Sequence, residues 1–192
     1  MPPKILVFAG SIRPGSCNAR LAGRAVKEIA LAGAETTWIS LEDYPLPLYD
    51  AELEAASGIP DNALKLKRQI TAHHGVFIVS PEYNASIPPL LKNALDWVSR
   101  VRERGDPPLA AYRDRAFALG AATDRPTGGL YALLALRQVL AIGCGALVIP
   151  EQIAIANARE AFDEMDNFKD PQLANQFQRV IARLIEIAQE LA

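Results

Sequence analysis

Apolar residues recur along this chain in two different periods, and the switches between them mark out its elements. Lys4-Ile5-Leu6-Val7-Phe8-Ala9 is almost wholly apolar, the pattern of a strand covered on both faces of a parallel sheet. Beyond it, Leu21, Ala22, Ala25, Val26 and Ile29 recur at helical spacing, with Arg20, Arg24, Lys27 and Glu28 between them. That pattern predicts an amphipathic helix. Residues 35–41 alternate as a second strand that ends in the Pro-rich stretch 42–47. A helix is predicted from Asp61 to about His73, and 75–80 is a second continuous apolar strand. Pro88 or Pro89 then opens a helix whose apolar face is Leu90, Leu91, Ala94, Leu95 and Val98. Residues 100–108 are a charged surface loop, 115–122 the fourth strand, 127–142 a helix and 146–149 the fifth strand. Residues 151–168 show no clear period and are a candidate for packing on a partner subunit. In the last helix Asp170 caps, Pro171 starts, and Leu173, Phe177, Val180, Ile181, Leu184 and Leu191 line one side.

Strand and helix alternate throughout, which implies an open parallel sheet with helices on both faces, joined by right-handed crossovers. The 192 residues suffice for a single domain, 1–192, and no repeat or linker divides them. In such sheets ligands collect beyond the carboxyl ends of the strands, where the strand order reverses. Three loops have that address: 10–18, 81–89 and 123–129.

The first of these, Gly10-Ser11-Ile12-Arg13-Pro14-Gly15-Ser16-Cys17-Asn18, sits where free backbone N–H groups and the positive end of a helix dipole favour an anion. Ser11, Ser16 and Asn18 add neutral donors, and Arg13 adds a charged fork for phosphate oxygens. An ordinary turn with Ser16 or Asn18 as helix N-cap explains two of these polar residues. It does not explain Arg13 beside two glycines and two serines. Gly10 and Gly15 have P-loop spacing, but Ser16 and Cys17 stand where Lys and Ser or Thr are required. The dinucleotide pattern G-x-G-x-x-G is missing too. What remains is a monophosphate held by hydroxyls, an amide and an arginine, which suits the phosphate of a mononucleotide such as FMN.

Composition narrows the partners. Half the residues are hydrophobic, the net charge is −2 and the pI is about 5.7. Nothing here advertises nucleic acid or an anionic membrane surface, and no apolar run approaches membrane length. The sequence begins without a signal-peptide layout, so the cytoplasm is expected. Cys17 and Cys144 have the spacing of neither a metal knuckle nor a redox pair, and no metal site is predicted. The adjacent His73 and His74 lack neighbouring ligands.

The first loop as G-S-x-R-x-x-S-x-N and the second as P-E-Y-N-x-S-x-P-x-x-L-K-N-x-x-D-W, Pro81 to Trp97, resemble the NADPH-dependent FMN reductases. That group includes quinone, chromate and azo reductases, and the similarity runs from Lys4 to Pro150. The resemblance implies a flavodoxin-like three-layer sandwich with a five-stranded parallel sheet of order 2-1-3-4-5. It also implies bound FMN, with NADPH or NADH as co-substrate and a small-molecule acceptor such as a quinone, free flavin, chromate or an azo compound. The hydride is expected to pass through flavin N5 by a ping-pong route, so no catalytic side chain is expected. A homodimer or homotetramer is implied, with the open flavin face at a subunit boundary. Ser11, Arg13, Ser16, Cys17 and Asn18 are expected around the phosphate. Pro81, Glu82, Tyr83 and Asn84 are expected along the ring, with Lys92, Asn93, Asp96 and Trp97 supporting their loop. Thr123, Gly128 and Gly129 are placed near the pyrimidine edge, although Asp124 and Arg125 depart from the Ser- and Gly-rich family pattern at this third loop. The alternatives are a flavodoxin-type electron carrier, which is typically far more acidic, and a non-enzymatic phosphate- or flavin-binding regulatory protein.

Overall fold

The computed structural model describes residues Met1–Ala192. Five parallel strands form one sheet: β1 (Lys4–Ala9), β2 (Glu35–Trp38), β3 (Gly75–Val79), β4 (Ala116–Ala122) and β5 (Leu147–Ile155). Their spatial order is β2-β1-β3-β4-β5, as the resemblance implies. The chain steps outward from β1 to β2 and then crosses back to β3, so the order reverses between β1 and β3. The helices are α1 (Cys17–Leu31), α2 (Ala51–Ser57), α3 (Asp61–Thr71), α4 (Pro89–Arg100), α5 (Leu130–Arg137), α6 (Ala158–Ala161) and α7 (Pro171–Glu190). None is long and apolar enough to cross a membrane.

Period-two alternation divides each central strand between two cores. Ile5, Val7 and Ala9 of β1 pack with Leu21, Ala25 and Ile29 of α1 and with Phe177, Val180 and Ile181 of α7. Leu6 and Phe8 point the other way, among Leu66 and Ile70 of α3, Leu91 and Leu95 of α4 and Leu133 and Leu136 of α5. Phe8, Phe77, Phe117 and Phe177 are fully buried, each contributing about 1.5–3 kcal/mol of transfer free energy.

The elements depart from the predicted pattern in five places. β2 stops at Trp38, because Ser40 accepts a hydrogen bond from Glu42 N–H and caps a short 3₁₀ turn, Leu41–Asp43. α2 was invisible to periodicity since none of its seven residues is buried, and Asp50 caps it by accepting from Glu52 and Leu53 N–H. The third helix ends at Thr71, and His73 lies buried beyond it with Nε2 2.8 Å from Thr37 Oγ1. α5 begins at Leu130, later than the predicted start at Thr127, and continues as a π-helical segment, Gln138–Gly143.

The fifth departure affects the site. The predicted fifth strand ends at Ile149, next to Pro150, which has no N–H to donate to a ladder. The strand instead bulges: Phe117 pairs with Val148, but Leu119 pairs with Gln152, and pairing resumes through Ala122 and Ile155. β5 therefore reaches the sheet's carboxyl edge at Ile155, well beyond the predicted end. The segment that follows packs on its own chain. Phe168 lies 5.1 Å from Phe162 and 5.2 Å from Phe177 between ring centroids, and the Arg20 guanidinium sits 4.9 Å over the Phe162 ring.

Candidate functional site

The loops after β1, β3 and β4 meet at the sheet's carboxyl edge and enclose a cleft of about 410 Å³. Ser11, Arg13, Ser16, Cys17 and Asn18 line it from the first loop, Pro81, Glu82 and Tyr83 from the second, and Thr123 and Asp124 from the third. Asn84, Gly128 and Gly129 lie outside its lining.

The first loop leaves some of its backbone donors free. Ser16 Oγ accepts from Asn18 N–H at 3.3 Å and so is the N-cap of α1, yet its own hydroxyl hydrogen remains available. The N–H groups of Gly15, Cys17 and Ala19 have no acceptor within the chain. Gly15 has φ +67°, a conformation that a side chain would strain. Arg13 is exposed and is engaged in no ion pair. Asn18 differs from its predicted role. Its Nδ2 donates to the Ala122 carbonyl and its Oδ1 accepts from Ala122 N–H, both at 3.0 Å. The amide thus fastens the start of α1 to the end of β4, and the donors left for an anion are backbone N–H groups, the Ser11 and Ser16 hydroxyls, each of which accepts from a backbone N–H but keeps its own hydrogen, and Arg13.

Glu82 likewise acts on another loop. Its carboxylate accepts from Tyr131 N–H at 3.1 Å and from Ala132 N–H at 3.4 Å, capping α5, whose own N-cap Gly129 has no side chain to do so. A carboxylate at a helix amino end is favoured by the dipole as well as by the hydrogen bonds. Tyr83 is 55% exposed and offers its ring to the cleft. A backbone pair between Tyr83 and Ser86 closes the turn, with Asn84 in the left-handed region at φ +50°. Lys92 Nζ pairs with Asp96 at 2.7 Å as their spacing allows. Asn93 and Trp97, however, support a different loop from the one predicted. Asn93 accepts from Tyr49 N–H, and both Asn93 Nδ2 and Trp97 Nε1 donate to the Pro47 carbonyl.

In the third loop Gly129 passes so close to β4 that a Cβ there would lie 2.6 Å from that of Ala121, and its φ is +90°. Gly128 similarly crowds Ala154. These glycines let the loop press against β4 and β5 before α5 begins. Asp124 accepts from Arg159 N–H at 3.0 Å and pairs with Arg159 Nε at 2.9 Å. Arg20 and Arg159 complete the cleft, and neither was among the predicted site residues. Arg20 reads as the wet face of a helix. Arg159 follows a strand whose end, predicted at Ile149, lies at Ile155.

The family model for NADPH-dependent FMN reductase matches residues 3–160. The chain belongs to the NADPH-dependent FMN reductase family. A quinone reductase of Escherichia coli (strain K12) is 38% identical over 138 residues, covering 71% of this chain and 69% of the relative. A probable NADPH:quinone oxidoreductase 2 of Oryza sativa subsp. japonica is 31% identical over 98% of this chain and 90% of its own. The solved structure of a flavoenzyme NAD(P)H:(acceptor) oxidoreductase from Paracoccus denitrificans superposes with a TM-score of 0.80 over 98% of both chains. At 24% identity that likeness speaks for the fold. The cleft of this FMN reductase family member has the donor set a phosphomonoester needs. The unengaged N–H groups of Gly15 and Cys17 and the buried Ser16 hydroxyl belong to its wall at the amino end of α1, with Arg13, which has no ion partner, in the same lining.

Proposed function

We propose that the protein is an NAD(P)H:acceptor oxidoreductase that holds FMN in the cleft between the loops after β1, β3 and β4 and reduces small acceptors such as quinones. The single observation that carries this is the first loop: the N–H groups of Gly15 and Cys17 are unengaged, and Ser11, Ser16 and Arg13 line the same cleft at a helix amino end. They suit the FMN phosphate. When bound, FMN supplies the hydride relay between the nicotinamide and the acceptor. The chain's own part is to bind and orient. Pro81 stiffens the second loop, Tyr83 offers an aromatic face, and Glu82 holds that loop to α5. Reductant and acceptor use the same open side of the cleft in turn, which makes the kinetics ping-pong, and the proton that a reduced quinone takes up comes from solvent at that open side.

Leu130, Tyr131 and Leu134 of α5 are 41%, 50% and 52% exposed, an apolar strip next to the loop that carries Tyr83. It supports a dimer or tetramer whose subunit boundary adjoins the open face. We assign all 192 residues to this one FMN-binding domain and place it in the cytoplasm.

The test is stopped-flow mixing of FMN-loaded protein with NADPH and with NADH. Rapid bleaching of the flavin band, reversed by a quinone, is the expected result. A protein that binds FMN yet is bleached by neither nicotinamide is an electron carrier, and one that cannot be loaded with FMN refutes the flavin site altogether. Arg13→Ala should weaken FMN binding by about 1.5–3 kcal/mol, the range for a hydrogen bond to a charged group. Unchanged affinity, measured by quenching of flavin fluorescence, assigns Arg13 elsewhere.

A further inference from the structure

The charges facing the cleft are three guanidiniums, Arg13, Arg20 and Arg159, and two carboxylates, Glu82 and Asp124. Four of the five already have partners. Arg20 is held by Asp166 at 2.6 Å, and Glu82 by the Tyr131 and Ala132 amides. Asp124 and Arg159 hold one another through the backbone N–H of Arg159 and through its Nε. Arg13 alone has no ion partner. Without Arg159, Asp124 would be an uncompensated carboxylate on the wall of an anion site. The Arg159 side chain is 80% exposed, and its ion pair is with Asp124, so that pair is its main tie to the fold.

We propose that Arg159 is a positioning and charge-masking residue for the flavin phosphate: it neutralises Asp124 and ties the third loop to the segment after β5, keeping the cleft net positive. Arg159 acts through Asp124 and does not itself grip the phosphate. The inference rests on the flavin reading above and adds to it residues that lie outside the first loop. One uncompensated charge across a solvent-lined cleft changes the affinity for a doubly charged phosphate by roughly three- to tenfold at moderate salt.

The experiment is a set of FMN titrations, followed by flavin fluorescence, on the wild type, Arg159→Gln, Arg159→Lys and the double variant Asp124→Asn/Arg159→Gln. Melting temperatures are recorded for each. Arg159→Gln should bind FMN roughly three- to tenfold more weakly, with the loss shrinking as salt is raised. Arg159→Lys should stay near the wild type. The double variant should recover to within about twofold of the wild type. In it the charge that needed masking is gone, while the amide oxygen introduced by Asp124→Asn can still accept from the backbone N–H at position 159. Riboflavin, which lacks the phosphate, should bind all four proteins alike. A double variant as weak as Arg159→Gln overturns the proposal, since Arg159 would then contact the phosphate directly. An Arg159→Gln protein that binds FMN like the wild type overturns it too. A wild type that takes up no FMN refutes the flavin site and this inference together.

Discussion

Asn18 offers the sharpest test of how the site is built, because its two candidate roles predict opposite results in the absence of ligand. Asn18 and Ala122 are 5% and 4% exposed, and the two 3.0 Å hydrogen bonds between them use both ends of the side-chain amide. Asn18→Ala removes both bonds and leaves the Ala122 N–H and carbonyl buried without partners. A net hydrogen bond contributes about 0.5–1.5 kcal/mol, and an orphaned buried polar group costs about 1–3 kcal/mol. Allowing for partial relaxation, the variant should lose about 2–4 kcal/mol, or roughly 4–16 °C in Tm for a chain of this size. The measurement is equilibrium urea unfolding of the flavin-free protein by circular dichroism, with the m-value required to match the wild type. Asn18→Asp should fare no better, since it keeps an acceptor for Ala122 N–H but turns a charged oxygen toward the Ala122 carbonyl. If Asn18→Ala stays within about 0.5 kcal/mol of the wild type without flavin, while FMN affinity falls, Asn18 is a phosphate ligand and the fastening role is wrong.

Two further predictions use perturbed ionisable groups. Glu103 is pulled down to about 2 by hydrogen bonds from Arg68 and from Lys67, the latter 5% exposed and also bonded to Asp106. A depressed carboxyl contributes stability that is present above its ordinary value near 4.5 and is lost as pH falls from there toward 2. The gap in Tm between the wild type and Glu103→Gln should therefore be full at about pH 6 and close progressively below pH ~4.5; a gap independent of pH contradicts the assignment. Burial, reinforced by the negative charge of Asp96, pushes the Cys144 thiol up to about 11, whereas Cys17 is half-buried on the cleft wall. At about pH 8, near the ordinary thiol range, one thiol should react quickly with Ellman's reagent, vanish in Cys17→Ser and be shielded by FMN. Two fast thiols would show that Cys144 is not sealed as described.

The periods of β1, β3, β4, α1, α4 and α7 were legible because each buries a full strand or a long helical face, and burial writes itself into apolar spacing. α2 was illegible for the complementary reason: with nothing buried, its helicity rests on the Asp50 cap and leaves no stripe. The positions of the three loops followed from topology alone, so Ser11, Arg13 and Tyr83 could be placed in one cleft before the structure. Side-chain partners could not. Asn18 and Glu82 have the chemistry of ligand donors, and only the distances to Ala122 and to the start of α5 reveal other occupations. Arg159 escaped because residues 151–168 show no clear period, and the bulge that lets β5 continue past Pro150 depends on register with β4.

Asn18 and Glu82 share a logic with Asp124. Asn18 joins the first loop to the end of β4, Glu82 joins the second loop to the start of α5, and Asp124 joins the third loop to Arg159. Each binding loop thus uses its most ligand-like polar side chain to hold a neighbouring loop or helix. What remains free for an anion is fixed backbone, the Ser11 and Ser16 hydroxyls and Arg13. A cradle of backbone N–H groups held in place by such cross-links needs little reorganisation when a phosphate arrives, so less of the interaction energy is lost to ordering. The same cross-links couple the loops energetically. Loss of the Asn18 or the Glu82 link should therefore weaken flavin binding through elements that the altered residue does not itself present to the ligand, whereas the third link matters through the charge it masks.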